Sequence, residues 1–148
     1  MDIAALVAWI VTALGGFVLL VRWISGGGLR QQQTRTTRFP APVVFGHFLL
    51  AAAGLVVWIV YLAADKTALA WTSFGVLVAV ALLGFTLLAR WIPVYRAAPA
   101  GTDVMAPSGT EAMTPAERHL PVPVVAAHGL LGATTLVLVL LAAIGVGS

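Results

Sequence analysis

The chain has 148 residues, of which 61% are hydrophobic and only 9% are charged. A soluble domain typically carries about 25% charged residues, so this composition indicates a membrane protein. The sequence contains no cysteine, which excludes disulfides, iron–sulfur clusters, thiolate ligands and covalent c-type haem attachment. The net charge is +3, but the basic residues are not clustered on a soluble face, so we exclude a nucleic-acid partner.

Four apolar runs are long enough to cross a membrane, at about 3–24, 42–63, 68–92 and 122–146. Each reaches the roughly 20 residues that a spanning helix needs, and backbone groups in lipid must be satisfied within the segment. The sequence therefore predicts an all-α fold, a four-transmembrane-helix bundle that forms one membrane domain over residues 1–148.

Two long loops, 25–41 and 97–121, join the first span to the second and the third span to the fourth. The first loop is rich in Gly, Gln and Thr, and we expect it to be flexible and solvated. Within the second loop, Thr114-Pro115-Ala116-Glu117 fits a capping box with proline at the first helical position, which predicts a short surface helix.

The distribution of cations predicts which side of the membrane each loop faces. Seven arginines fall in or next to the two long loops, whereas Lys66 alone lies in the short turn at the other end. The positive-inside rule therefore places both long loops in the cytoplasm and both termini outside. The N-terminus does not read as a signal peptide, because it has Asp2 where a signal peptide has basic residues and because its apolar run is long enough to cross the membrane. We expect a multi-pass integral protein of a bacterial cytoplasmic membrane.

Two sequence patterns each occur twice, in the same order. The pattern G-F-x-L-L-x-R-W-I occupies residues 16–24 and 84–92, and P-x-P-V-V-x-x-H-x-L-L occupies residues 40–50 and 121–131. The sequence thus predicts a tandem two-helix repeat, with a pseudo-twofold axis along the membrane normal. Chance similarity between apolar helices of low complexity is the alternative explanation.

Each copy of the second pattern contains a histidine, His47 or His128, five residues after the P-x-P entry. Both imidazoles should lie about 8–9 Å inside parallel helices, at a rise of about 1.5 Å per residue. Two imidazoles facing each other across the pseudo-twofold axis are suitable axial ligands for a haem iron. We therefore predict one b-type haem between the second and fourth spans, with His47 and His128 as metal ligands. The alternatives are a site for a quinone or another small ligand, and hydrogen bonds between helices.

The surroundings of the histidines fit the same interpretation. Small residues at this depth and one or two turns beyond would leave room for a porphyrin, and arginines at the cytoplasmic boundary would pair with its propionates. The predicted cofactor-binding residues are Gly16, Ala51, Gly54, Gly84, Gly132, Thr135, Arg22, Arg38 and Arg90. Helix packing and the positive-inside rule account for the same residues without a cofactor. His119, at the position that matches Arg38, is expected in the interfacial loop and not as a ligand.

With one histidine on each of two spans, the chain resembles the small b-type cytochrome subunits of respiratory and other membrane oxidoreductases. In that family a four-helix bundle holds haem by a histidine from each of two helices, and larger members hold two haems by four histidines. The resemblance covers the four helices in outline, and the histidine pair is its one specific element. Because this chain has only His47 and His128 within its spans, the resemblance implies a single haem b.

The expected function is an electron relay within a larger oxidoreductase complex of the respiratory chain or a similar system. The chain would exchange one electron between other membrane or peripheral subunits and the quinone pool, and would act as a subunit and not as a self-sufficient enzyme. The alternatives are a non-redox structural, accessory or assembly subunit, and half of a transporter. Hydrolytic chemistry has no support, because the sequence offers no serine–histidine–acid set.

Overall fold

The computed structural model describes residues 1–97 and 114–146. Its elements, in chain order, are α1 Asp2–Ser25, α2 Gln31–Thr34, α3 Ala41–Ala64, α4 Thr67–Arg96, a 3₁₀ turn Ala116–His119 and α5 Val122–Ala143. The described residues contain no strand, so the predicted all-α fold is confirmed.

The four long helices α1, α3, α4 and α5 correspond to the four predicted spans. Each is long and apolar enough to cross a membrane, which makes the chain a multi-pass membrane protein. Even α5, the shortest with 22 residues, is about 33 Å long and exceeds a hydrocarbon core of roughly 30 Å. Proline at the first or second position of α3 and α5 starts each helix where a missing amide donor costs least.

The ends of α4 and α5 differ from the predicted ends. α4 continues through Pro93 to Arg96, and α5 stops at Ala143. After α5 the N–H of Gly145 donates to the carbonyl of Ala142 at 3.0 Å, and the N–H of Val146 donates to that of Leu141 at 2.9 Å. With Gly145 at φ +82, this is a Schellman motif. The apolar residues 144–146 extend the hydropathic run without extending the helix.

The predicted flexible loop after α1 is a folded segment. Gly27 has φ +88, and the N–H of Gly28 donates to the carbonyl of Trp23 at 2.9 Å, which closes α1 with a second Schellman motif. A Cβ at Gly28 would collide with the Trp23 indole, so glycine lets the backbone turn tightly over that ring. The chain then forms α2, whose Gln31 side chain is buried.

The four long helices form a bundle in which α3 packs mainly against α4, and α5 mainly against α1. Because α4 also packs against α5, and α1 less extensively against α3, α3 and α5 lie at diagonally opposite corners. One hydrophobic cluster fills the bundle around Trp9, Trp58 and Val139. A second cluster, around Trp23 and Trp91, fills the end at which α1 and α4 finish and α3 and α5 begin. His47 and His128 lie between the two clusters along their helices.

Segments 26–40 and 114–121 cover this second cluster, and we call them together the histidine-side cap. The 3₁₀ turn packs against both α1 and α4. Of the predicted loop 97–121, residues 98–113 lie outside the described residues. The predicted short helix is a 3₁₀ turn that begins after Pro115, and no side chain caps it.

Candidate metal centre

His47 lies on the inner side of α3 and contacts the neighbouring helix through one ring nitrogen. Its Nδ1 is 2.9 Å from the carbonyl oxygen of Val80 on α4. A carbonyl oxygen only accepts hydrogen bonds, so this contact requires the proton on Nδ1. In the neutral imidazole, Nε2 then keeps its lone pair and is available as a metal ligand.

His128 on α5 makes the corresponding contact with α1. Its Nδ1 is 2.9 Å from the carbonyl oxygen of Thr12, which again assigns the proton to Nδ1 and leaves Nε2 as an acceptor. A hydrogen bond from the second ring nitrogen to a backbone carbonyl is the usual outer support of a metal-bound histidine, because it fixes the tautomer and the ring orientation.

Glycine makes both contacts sterically feasible. Gly16 and Gly84 follow Thr12 and Val80 by four residues, and the side chain of a helical residue covers the turn on its N-terminal side. A Cβ at Gly16 would lie 2.8 Å from Cε1 of His128, and a Cβ at Gly84 would lie 3.1 Å from Cε1 of His47. The two glycines therefore leave each carbonyl open to the imidazole of another helix.

The two imidazoles are close together in the middle of the bundle. Their ring centroids are 6.0 Å apart and their planes are inclined by 72°. Metal–nitrogen bonds of about 2 Å on each side, plus about 1 Å from each nitrogen to its ring centre, give roughly the same spacing for two rings on one metal. Both rings are half-buried and keep accessible surface.

The donor set fits a haem better than a bare metal ion. No group of three or more His, Cys, Asp or Glu side chains lies close enough to hold a metal among residues 1–97 and 114–146. A bare ion at the histidine pair would have only two protein ligands, whereas zinc sites, for example, use three or four. A haem iron already has four porphyrin nitrogens and needs only two axial ligands. His47 and His128 would hold it.

An apolar groove of about 440 Å³ leads to His128 from the side of the bundle, between α1 and α5. It is lined by aliphatic residues, with Gly15 and Ala127 beside the histidine. The lining has no hydrogen-bonding side chain other than His128 itself. Of the two histidines, the groove reaches His128 alone, because none of its lining residues belongs to α3.

The other small residues predicted around the cofactor have different surroundings. A Cβ at Gly54 would lie 3.0 Å from the Trp9 ring and 3.0 Å from Val76, so the space that this glycine leaves is filled by protein. Thr135 is 1% exposed and its hydroxyl lies 3.4 Å from that of Thr12. Gly132 faces Thr12 across a looser gap, and Ala51 is half-buried.

The predicted propionate partners lie at the histidine-side end of the bundle. Arg22, Arg38 and Arg90 are exposed, and Nη1 of Arg90 donates to the carbonyl of Arg38 at 3.2 Å. His119 is exposed in the 3₁₀ turn, as expected for a residue of the interfacial loop.

Sequence reasoning assigned Glu117 to a local helix cap, but the structure gives it a different role. Its side chain is 0% exposed and accepts hydrogen bonds from the Thr37 hydroxyl at 2.7 Å and from the N–H of Arg38. Its carbonyl accepts from Nε1 of Trp91 at 3.1 Å. Glu117 thus joins the two segments of the cap. No signal in the sequence indicated this role, because Glu117 is one of three acids in the loop 97–121 and its partner Thr37 lies 80 residues away.

No family model, no curated protein and no solved structure matches this chain.

Proposed function

We propose that this chain is a membrane-embedded b-type cytochrome subunit that relays electrons within a larger respiratory or other oxidoreductase complex. One haem b would be held between α3 and α5 by His47 and His128. The strongest support for the proposal is the close approach of the two imidazole rings, whose centroids are 6.0 Å apart. Each ring also donates a hydrogen bond from Nδ1 to a backbone carbonyl of a neighbouring helix. The bound haem would supply a one-electron carrier.

The residues of the chain would hold and tune this carrier. The carbonyls of Thr12 and Val80 keep each imidazole in the tautomer that presents Nε2, and they raise its basicity as a ligand. The apolar bundle limits access of water, and Arg22, Arg38 and Arg90 offer cations for anionic propionates. Redox partners would be other membrane or peripheral subunits, with the quinone pool as an electron source or acceptor.

We also propose that the bundle arose from a tandem two-helix repeat. The sequence offset of 68 relates Thr12 to Val80 and Gly16 to Gly84, and these pairs make matching contacts with the two histidines. An experimental structure in which the hairpin α1–α3 fails to superpose on α4–α5 after a half-turn would refute the repeat.

The proposed orientation puts the histidine-side cap in the cytoplasm and both termini outside. All seven arginines belong to the end that carries the cap, and Lys66 lies in the turn at the opposite end. The positive-inside rule supports this orientation, and a bacterial cytoplasmic membrane is the proposed location.

An accessory subunit without a cofactor is the second candidate. Each histidine already joins two helices by a hydrogen bond, and bonds of this kind stabilise helix pairs in membranes by about 0.6 kcal/mol on average. Such a protein would be folded and colourless.

Reduced-minus-oxidised absorbance of the purified protein distinguishes the two candidates. We expect a b-type spectrum that is lost in His47→Ala and in His128→Ala, because each substitution removes an axial ligand. His119→Ala is the matched control and should keep the spectrum. Colourless wild-type protein that is folded would favour the accessory subunit, and a coloured double variant would refute the ligand assignment.

A further inference from the structure

The described residues at the histidine-side end of the molecule present a surface of a single charge, whereas Asp103 and Glu111 of the loop 97–121 lie outside the described residues. The seven arginines at this end are all exposed except Arg118, which is half-buried. Among the described residues, Glu117 is the one carboxylate at this end, and it is 0% exposed. The described part of this surface therefore shows cations and no accessible acid.

The cap holds several of these cations on a folded support. The Gln31 side chain donates to the carbonyl of Thr114 at 3.0 Å and accepts from the N–H of Ala116 at 2.8 Å. Nε2 of Gln32 donates to the carbonyl of Phe39 at 2.7 Å. The positive-inside rule requires cations near the ends of the spans, but it does not require a folded surface to carry them. A pre-organised charged surface favours binding of a complementary partner.

Two of the cations are well placed for a soluble partner. Arg30 and Arg35 lie beyond the end of α1 on the first segment of the cap, outside the spans. The arginines at the ends of α1 and α4 are closer to where lipid headgroups would lie. This end is also the nearer one to the histidines, because His47 is six residues from the start of α3 and 17 residues, about 25 Å, from its end.

We propose that the histidine-side cap is the docking surface for an acidic, soluble one-electron carrier protein. The choice of an electron carrier as the partner rests on the proposed function, because a carrier bound to the cap would lie next to the site of His47 and His128. A haem held by the two histidines would supply the acceptor for one electron from the reduced carrier. No covalent bond is made or broken and no proton is transferred in this exchange.

The test measures binding of an acidic flavodoxin to the protein in phosphatidylcholine nanodiscs. We expect the Kd to rise at least about tenfold between 20 mM and 200 mM salt, because exposed charges are screened over about 10 Å at 0.1 M. Combined Arg30→Gln and Arg35→Gln substitution should weaken binding about tenfold at low salt. Lys66→Gln, which removes the cation at the opposite end, is the matched control and should leave the Kd unchanged.

The outcomes separate this proposal from the proposed function. His47→Ala should still bind flavodoxin, because it leaves the cap unchanged; binding by a colourless wild-type protein would support the docking surface and refute the cytochrome. A protein that contains haem but shows no salt-dependent binding would refute the docking surface alone. Loss of co-purifying phosphatidylglycerol from the Arg30 and Arg35 double variant, without loss of flavodoxin binding, would show a lipid site instead and would also overturn the proposal.

Discussion

At the scale of single residues, the site contains two equivalent contacts between a histidine and a neighbouring helix. In each contact a histidine donates from Nδ1 to a helix carbonyl, and a glycine four residues after that carbonyl leaves room for the ring. The helix carbonyl has two lone pairs, so it can accept both the helical N–H and the imidazole N–H. The glycines are therefore part of the histidine geometry and not only places of close helix packing.

Gly16→Ala tests this interpretation of the glycines. Alanine is about 1 kcal/mol more favourable than glycine inside a helix, so helix propensity alone predicts a more stable protein. The new methyl would lie 2.8 Å from Cε1 of His128, however, and relief of such a contact costs about 1–3 kcal/mol. We expect about tenfold weaker haem binding, measured as Soret absorbance during haem titration of the apoprotein.

Gly129→Ala provides the matched control for this experiment. It lies next to His128, but a Cβ at this position would meet nothing within 4 Å. It should bind haem as the wild type does. Equal haem binding by Gly16→Ala and Gly129→Ala would contradict the role assigned to Gly16.

At the scale of elements, the spans were predictable from the sequence because hydropathy reports burial in lipid directly. The cap was not, because distant side chains determine its fold. Thr37 and Glu117 are 80 residues apart and neither follows a local pattern that points to the other. The T-x-x-E motif favoured a helix cap, and the long-range contact of Glu117 replaced that local bond.

The proposed orientation of the helices can be tested by cysteine labelling, because the chain contains no cysteine. Lys66→Cys lies in the turn between α3 and α4, and Gln33→Cys lies on an exposed position of the cap. With the cap in the cytoplasm, a membrane-impermeant maleimide should label only Lys66→Cys in intact cells. Gln33→Cys should react after the cells are permeabilised. The opposite labelling order would show that the orientation is inverted.

At the scale of the whole molecule, the pairing of His47 with His128 depends on the association of the two hairpins. His47 belongs to the hairpin α1–α3 and bonds to α4, whereas His128 belongs to the hairpin α4–α5 and bonds to α1. Each hairpin therefore supplies one histidine and supports the histidine of the other. The repeated patterns predicted which residues correspond, but a sequence offset does not say which helices are neighbours. The extensive packing of α3 on α4 and of α5 on α1 supplied that information.

The most direct test of the shared metal site is the EPR spectrum of the oxidised protein, together with its haem-to-protein ratio. Ligation by both His47 and His128 predicts one haem per chain and a single low-spin ferric signal, because imidazole on both faces of the iron gives a strong axial field. When either histidine is replaced by alanine, we expect the haem-to-protein ratio to fall and the low-spin signal to be lost. A protein that binds no haem, or a ferric signal that is unchanged in His47→Ala, would contradict the account.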